Sequence, residues 1–157
     1  MANNKLNIYN NLIKLTRNKN FYLKLEQNET FSDRLIILFF HFGFFLKNYK
    51  DVISKKESQD IFDFFMRQIE LSIREIGYGD VSVNKKMKQY INLFYSIIEK
   101  IENWPNLDNI SKIDILSNFL KIANDIQYYV DYFEKYRKFL SENTLNQFTK
   151  DILNLKI

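Results

Sequence analysis

The sequence predicts an all-α fold, one globular domain of six to eight helices spanning residues 1–157. Three observations predict it. Glycine and proline are scarce, three and one in 157 residues, and few breakers mean few tight turns. Apolar residues recur at spacings of three and four along most of the chain, the period of a helix with one buried face. Residues suited to capping helix N-termini stand ahead of several of these runs. No strand-like alternation of useful length appears, and no repeat, linker or low-complexity segment. The length is that of one ordinary domain and suffices for a single packed core.

Leu6, Tyr9, Leu12, Ile13 and Thr16 predict an amphipathic helix over 5–17. Arg17-Asn18-Lys19-Asn20 interrupts it, and a short helical turn from Phe21 to Gln27 follows. Ser32 or Asp33 is expected to cap the next helix, which runs to about Tyr49. Its middle, from Leu35 to Phe45, is apolar on every face, which places it at the centre of the core. Gly43 lies inside it, at a cost of about 1 kcal/mol relative to alanine. A neighbouring helix crossing closely at that point offsets the cost.

Ser54-Lys55-Lys56-Glu57 is a capping box. The helix it opens runs to Ile76, with Phe62, Phe65, Ile69, Ile73 and Ile76 as its buried stripe. Asp63–Arg67 and Glu70–Arg74 are expected i,i+4 ion pairs, worth about 0.2–0.5 kcal/mol each. Gly77 suits the left-handed residue that closes a helix. Tyr78-Gly79-Asp80-Val81 reads as a tight connection to a helix over about 84–102, buried through Met87, Ile91, Phe94, Ile98 and Ile101. Trp104-Pro105-Asn106 ends that helix. Ser111 opens a further helical pattern that runs to Leu140 with a break near Asn124-Asp125, and Ser141 caps a last helix holding Leu145, Phe148 and Ile152.

Composition narrows the function. With no cysteine, disulfides, thiolate metal sites and a cysteine nucleophile are excluded. One histidine, His41, excludes a histidine-rich metal site. No Gly-rich phosphate loop is present, and Asp60, Asp63 and Glu70 have basic neighbours at helical spacing, as on an ordinary solvated face. The chain is therefore read as a non-enzyme without a cofactor or small-molecule substrate. A net charge of +4 is weak evidence either way on a nucleic-acid partner, since AT-rich codons favour lysine in any case. The most apolar run, Leu35 to Leu46, is shorter than the roughly 20 residues that span a bilayer. The N-terminus lacks the layout of a secretory signal or a transit peptide.

Within this frame, Ile73 to Tyr95 carries a string of residues that resembles the signature of the ubiquinol–cytochrome c chaperone family. The signature is a Leu-Arg-Glu-x-Gly-x-Gly-Asp core, then valine, a basic pair and methionine, then Phe-Tyr. Arg74, Glu75, Gly77, Gly79, Asp80, Val83, Lys85, Lys86, Met87, Phe94 and Tyr95 fall on those positions. Further anchors occur in the same order at Tyr9, Arg17, Phe21, Tyr22, Thr30, Arg34 and His41, so the resemblance covers residues 9–140. Asn28-Glu29, Asp33, Leu35 and Ser96-Ile97 depart from the pattern, as in a divergent member.

The resemblance implies an all-helical chaperone that holds cytochrome b before the cytochrome bc1 complex assembles. It further implies a second small assembly factor or the ribosome as partner, and a peripheral contact with the inner membrane. A chain this short without a presequence is expected to be bacterial and cytoplasmic. The candidate partner-binding residues are Arg34, Arg74, Glu75, Gly77, Gly79, Asp80, Lys85, Lys86, Met87 and Tyr95.

Each has a plainer reading. A helix end needs a glycine, and Asp80 suits a turn cap. Lys85, Lys86 and Lys88 crowd what reads as a first helical turn, where acids are preferred, and this favours a contact with an acidic partner, ribosomal RNA or anionic lipid. His41 is read as a core histidine bonded to a neighbour rather than a haem ligand. Arg34, seven residues before it, shares its face, and Glu75 is a candidate partner for that polar spot. Tyr128, Tyr129, Tyr132, Phe133 and Tyr136 wrap so much of one helix that part of the cluster is expected at the surface, as a partner or membrane patch. The alternative to a chaperone is a small RNA- or ribosome-binding protein, which predicts one continuous basic face.

Overall fold

A computed structural model describes residues 2–27 and 30–150. Asn28 and Glu29, and Ile152 of the expected last helix, lie outside them. The helices are α1 (Ala2–Thr16), α2 (Asn20–Leu23), α3 (Phe31–Tyr49), α4 (Lys55–Ile76), α5 (Asp80–Ile101), α6 (Asn109–Phe119), α7 (Ile126–Glu142) and α8 (Leu145–Lys150), with a 3-10 turn at Trp104–Asn106 between α5 and α6. The fold is all-α, as the sequence predicts. Among the described residues the only β feature is an isolated antiparallel bridge, Leu25 to Ile122.

Every residue from Leu35 to Phe45 is buried, so α3 is the axle of the core. Helices α1, α5 and α7 pack around it, α4 packs on α5 and α1, α6 on α7, and α8 on α1. The close crossing required at Gly43 is present. A Cβ there would lie 3.0 Å from Ile101 Cδ1 and 3.3 Å from Ile98 Cδ1, both on α5.

Polar groups inside this core are satisfied. His41 Nδ1 lies 2.8 Å from the Ile37 carbonyl and Nε2 lies 2.6 Å from the Tyr132 hydroxyl. A carbonyl only accepts, so Nδ1 carries the proton and Tyr132 O–H donates to Nε2. Tyr136 O–H donates to the His41 carbonyl at 2.8 Å, and Tyr129 O–H donates to that of Phe21. Phe133 sits among these rings, near Phe21, Phe40, Phe44 and His41. Burial lowers the His41 pKa to about 4, against the weaker opposite pull of the Ile37 carbonyl. The histidine is thus a neutral core residue, as expected. Its partner is Tyr132, however, and not a carboxylate: Glu75 is exposed, and so is Arg34.

The tyrosine cluster corrects the sequence reading. Tyr129, Tyr132, Phe133 and Tyr136 are all buried, and only Tyr128 is partly open. Helix α7 is covered on more than one side, by α3, by α6 and by Phe21 of α2. Each phenol then finds an acceptor as burial requires.

Several helix ends also differ. Thr30, not Ser32 or Asp33, caps α3 by accepting from the Asp33 N–H at 3.0 Å. Asp108 caps α6 by accepting from Ser111 N–H at 2.8 Å. Thr144 and Gln147 form the box ahead of α8, while Ser141 donates within α7. Ser54 caps α4 as predicted. The expected turn from Phe21 to Gln27 stops at Leu23, because the next residues pair with the α6–α7 connection: Glu26 N–H donates to Lys121 O and Ala123 N–H to Lys24 O. Arg67 pairs with Glu70 instead of Asp63, whose carboxylate accepts from Gln59. Glu70 to Arg74 is a loose 4.0 Å contact.

Candidate partner-binding surface

Helices α4 and α5 form an antiparallel hairpin whose connection is three residues, Gly77 to Gly79. Gly77 adopts φ 108°, the left-handed conformation that lets α4 stop abruptly. Gly79 is extended and serves as the N-cap of α5, so α5 begins at Asp80, about a turn earlier than the sequence suggests. Asp80 therefore occupies the first turn, where a carboxylate is favourable. Lys85, Lys86 and Lys88 lie beyond that turn. Contrary to the sequence reading, they do not oppose the helix dipole.

Asp80 forms an ion pair with Arg74 that ties the two helix ends together. The hydrogen bond that Arg74 donates to Asp80 raises the Arg74 pKa above its ordinary value. Lys86 Nζ sits 4.6 Å from the centre of the Tyr78 ring. Around this polar clasp stand apolar side chains with little cover: Val81 is 86% exposed, Ile76 56% and Tyr78 43%. Ile76 is thus not part of the buried stripe. That stripe runs through Ile61, Phe65, Met66, Ile69 and Ile73.

Of the predicted residues, the structure brings Arg74, Glu75, Gly77, Gly79 and Asp80 to the hairpin tip, with Lys85 and Lys86 just behind it. Glu75 and Lys85 are exposed. Met87 is 9% exposed and belongs to the core, which corrects its assignment to the binding surface. Its hydrophobic spacing on α5 already pointed that way. Arg34 lies on α3 outside the tip, with its guanidinium carbon 5.9 Å from the Phe31 ring centre. It lines a cavity of about 310 Å³ together with Arg17, Tyr22, Ile69 and Ser72.

Tyr95 is far from the tip. It is 54% exposed and stacks on Phe62 of α4, with centroids 5.7 Å apart and planes 14° from parallel. The pair borders an open groove of about 460 Å³ between the C-terminal part of α3, the start of α4 and the end of α5. Phe94, Leu46 and Ile98 line the groove, and Lys47, Lys50 and Lys55 stand around it. Phe62, expected in the buried stripe of α4, is only half-buried, and neither it nor these lysines were expected at a binding surface. The lysines at 47, 50, 55 and 56, clustered in ten residues, were the available signal.

The hairpin tip presents exposed apolar side chains beside the Arg74–Asp80 ion pair. Asp63 and Glu70 engage Gln59 and Arg67 on the outer face of α4. Among the described residues no group of three or more His, Asp or Glu side chains is placed to hold a metal ion, and no helix is long and apolar enough to cross a membrane.

A family model described as ubiquinol-cytochrome C chaperone matches residues 23–103, just over half of the chain. The match includes all of α3, α4 and α5, and so both the hairpin tip and the lysine-rimmed groove. Tyr9, Arg17, Phe21 and Tyr22 precede the matched segment. No curated protein and no solved structure matches the chain.

Proposed function

The chain belongs to the ubiquinol-cytochrome C chaperone family, and we propose that it is a non-catalytic assembly chaperone whose client is cytochrome b of the cytochrome bc1 complex. The observation that carries this reading is the family match across the α4–α5 hairpin. The geometry of the tip supports it. Val81, Ile76 and Tyr78 stand exposed at the end of a two-helix hairpin, beside the Arg74–Asp80 pair and the lysines at 85 and 86. A client destined for a membrane exposes apolar surface before assembly. Side chains of this kind can cover it without a dry catalytic cleft.

On this reading the hairpin tip is the client contact, through Arg74, Glu75, Asp80, Lys85 and Lys86. The two glycines set the shape of the turn. The protein works at the cytoplasmic face of the inner membrane, in peripheral contact with it, alongside a second small assembly factor or the ribosome.

The test is an affinity pull-down with the tagged chain from host membranes in mild detergent, with Asp80→Arg run in parallel. The reading expects cytochrome b with the native chain and loss of it with the variant. Equal recovery by both moves the client contact away from the tip. Ribosomal components alone, released steeply by salt, replace the chaperone reading with an RNA-binding one.

A further inference from the structure

The groove beside Tyr95 lies at the opposite end of the hairpin from the tip. Phe62 is fifteen residues before Gly77, about 22 Å along α4 at 1.5 Å per residue. Its wall is apolar and preformed. Phe94 is 1% exposed and stacks on Phe42 at 5.1 Å beneath it, so the wall cannot collapse inward. Tyr95 and Phe62 form its aromatic edge, and Leu46 and Ile98 supply aliphatic surface.

Charge around the groove is one-sided. Lys47, Lys50 and Lys55 face a single acid, Glu102. Lys47 is held in place by a 3.0 Å bond from Nζ to the Ile101 carbonyl, and burial lowers its pKa. It also lines a second cavity of about 450 Å³, whose charged residues are Arg137, Lys138 and Glu134. Glu134 is already engaged by Lys112, Arg137 and the Trp104 N–H. Lys138 stands 3.9 Å from Glu142, so the unbalanced positive charge is that of the first groove.

We propose that this groove is a second docking site, for an amphipathic helix of a partner protein whose apolar stripe is flanked by acidic residues. An apolar trough between α-helices takes a helix through residues spaced at i, i+4 and i+7, and the lysine rim selects the sign of its flanks. A nucleic acid fits less well. Base stacking needs free aromatic faces, whereas one face of Tyr95 is taken by Phe62 and the rest of the surface is largely aliphatic. The site stands apart from the client contact at the tip and does not depend on it.

The test uses synthetic helical peptides of about 18 residues, roughly five turns. One carries a leucine stripe flanked by glutamates, the other the same stripe flanked by lysines. Binding to the full chain is read by fluorescence anisotropy. The proposal expects the glutamate peptide to bind at least about tenfold tighter, with the preference shrinking as salt rises. Lys50→Glu with Lys55→Glu, both exposed positions, reverses the preference, and Tyr95→Ala weakens both peptides. Asp80→Arg changes neither, so failure at the tip and failure here are separable. Equal binding of the two peptides overturns the proposal, and so does a preference untouched by the double lysine variant. Displacement of the glutamate peptide by single-stranded RNA or by phosphatidylglycerol vesicles at lower concentration overturns the assignment of the occupant.

Discussion

The α3–α7 interior and the α4–α5 hairpin tip are built from the same residue types used in opposite ways. In the interior, aromatic rings are fully covered and each polar atom has a partner: His41 with Ile37 and Tyr132, Tyr136 with the His41 carbonyl, Tyr129 with that of Phe21. At the tip, Val81, Ile76 and Tyr78 are open to solvent, and the Arg74–Asp80 pair is solvated. Solvated ion pairs contribute little to stability. On the proposed function, the difference teaches that stability and recognition reside at separate places in this chain. A substitution in one should leave the other's property almost untouched.

The comparison is sharpened most strongly at Phe133. Phe133→Ala removes a ring packed against Phe21, Phe40, Phe44 and His41. It should cost about 4 kcal/mol in urea denaturation followed by circular dichroism. Acid comes next. The folded pKa of His41, about 4, lies below the unfolded value of 6.5. The unfolded chain therefore binds the proton more readily between those values. Stability should fall as pH drops through that window, by about 3 kcal/mol in all from this residue. Denaturation curves at pH 7 and pH 4 measure it, and a His41→Phe chain should lose that part of the slope. Tyr132→Phe should cost about 2 kcal/mol by leaving the buried Nε2 without a donor. Ser54→Ala, which removes the α4 cap, should cost about 1 kcal/mol. Asp80→Arg should move the midpoint least of the series while abolishing client recovery. A large loss of stability in that variant breaks the comparison, because the tip would then be part of the fold's support.

What the sequence disclosed follows physical lines. Helix α4 was legible from end to end because a hydroxyl with Glu57 marks its start and Gly77 its stop. Helix α3 was legible because a segment apolar all round has only one place to go, and Gly43 announced the crossing by α5. Caps were less legible. Thr30, Ser32 and Asp33 are all competent, as are Asp108 and Ser111, and the choice depends on where packing lets the backbone leave the helix. The tyrosine cluster misled because the periodicity of one helix does not tell how many neighbours cover it. At the hairpin, the family resemblance located the tip residues, but the start of α5 was set a turn late. Gly79 and Asp80 could begin a helix as readily as sit in a turn. The lysine-rimmed groove went unseen because Lys47, Phe62 and Tyr95 are distant in sequence and meet only in the fold.

The central claim is that client contact is made by the exposed apolar side chains of the hairpin tip. A photo-crosslinking amino acid placed at Val81 in living host cells tests it most directly, with Ile110 as control. Ile110 is 77% exposed and lies on α6, outside the matched segment. The account predicts a covalent adduct with cytochrome b from position 81 and none from position 110. No adduct from 81, or the same adduct from both positions, would contradict it.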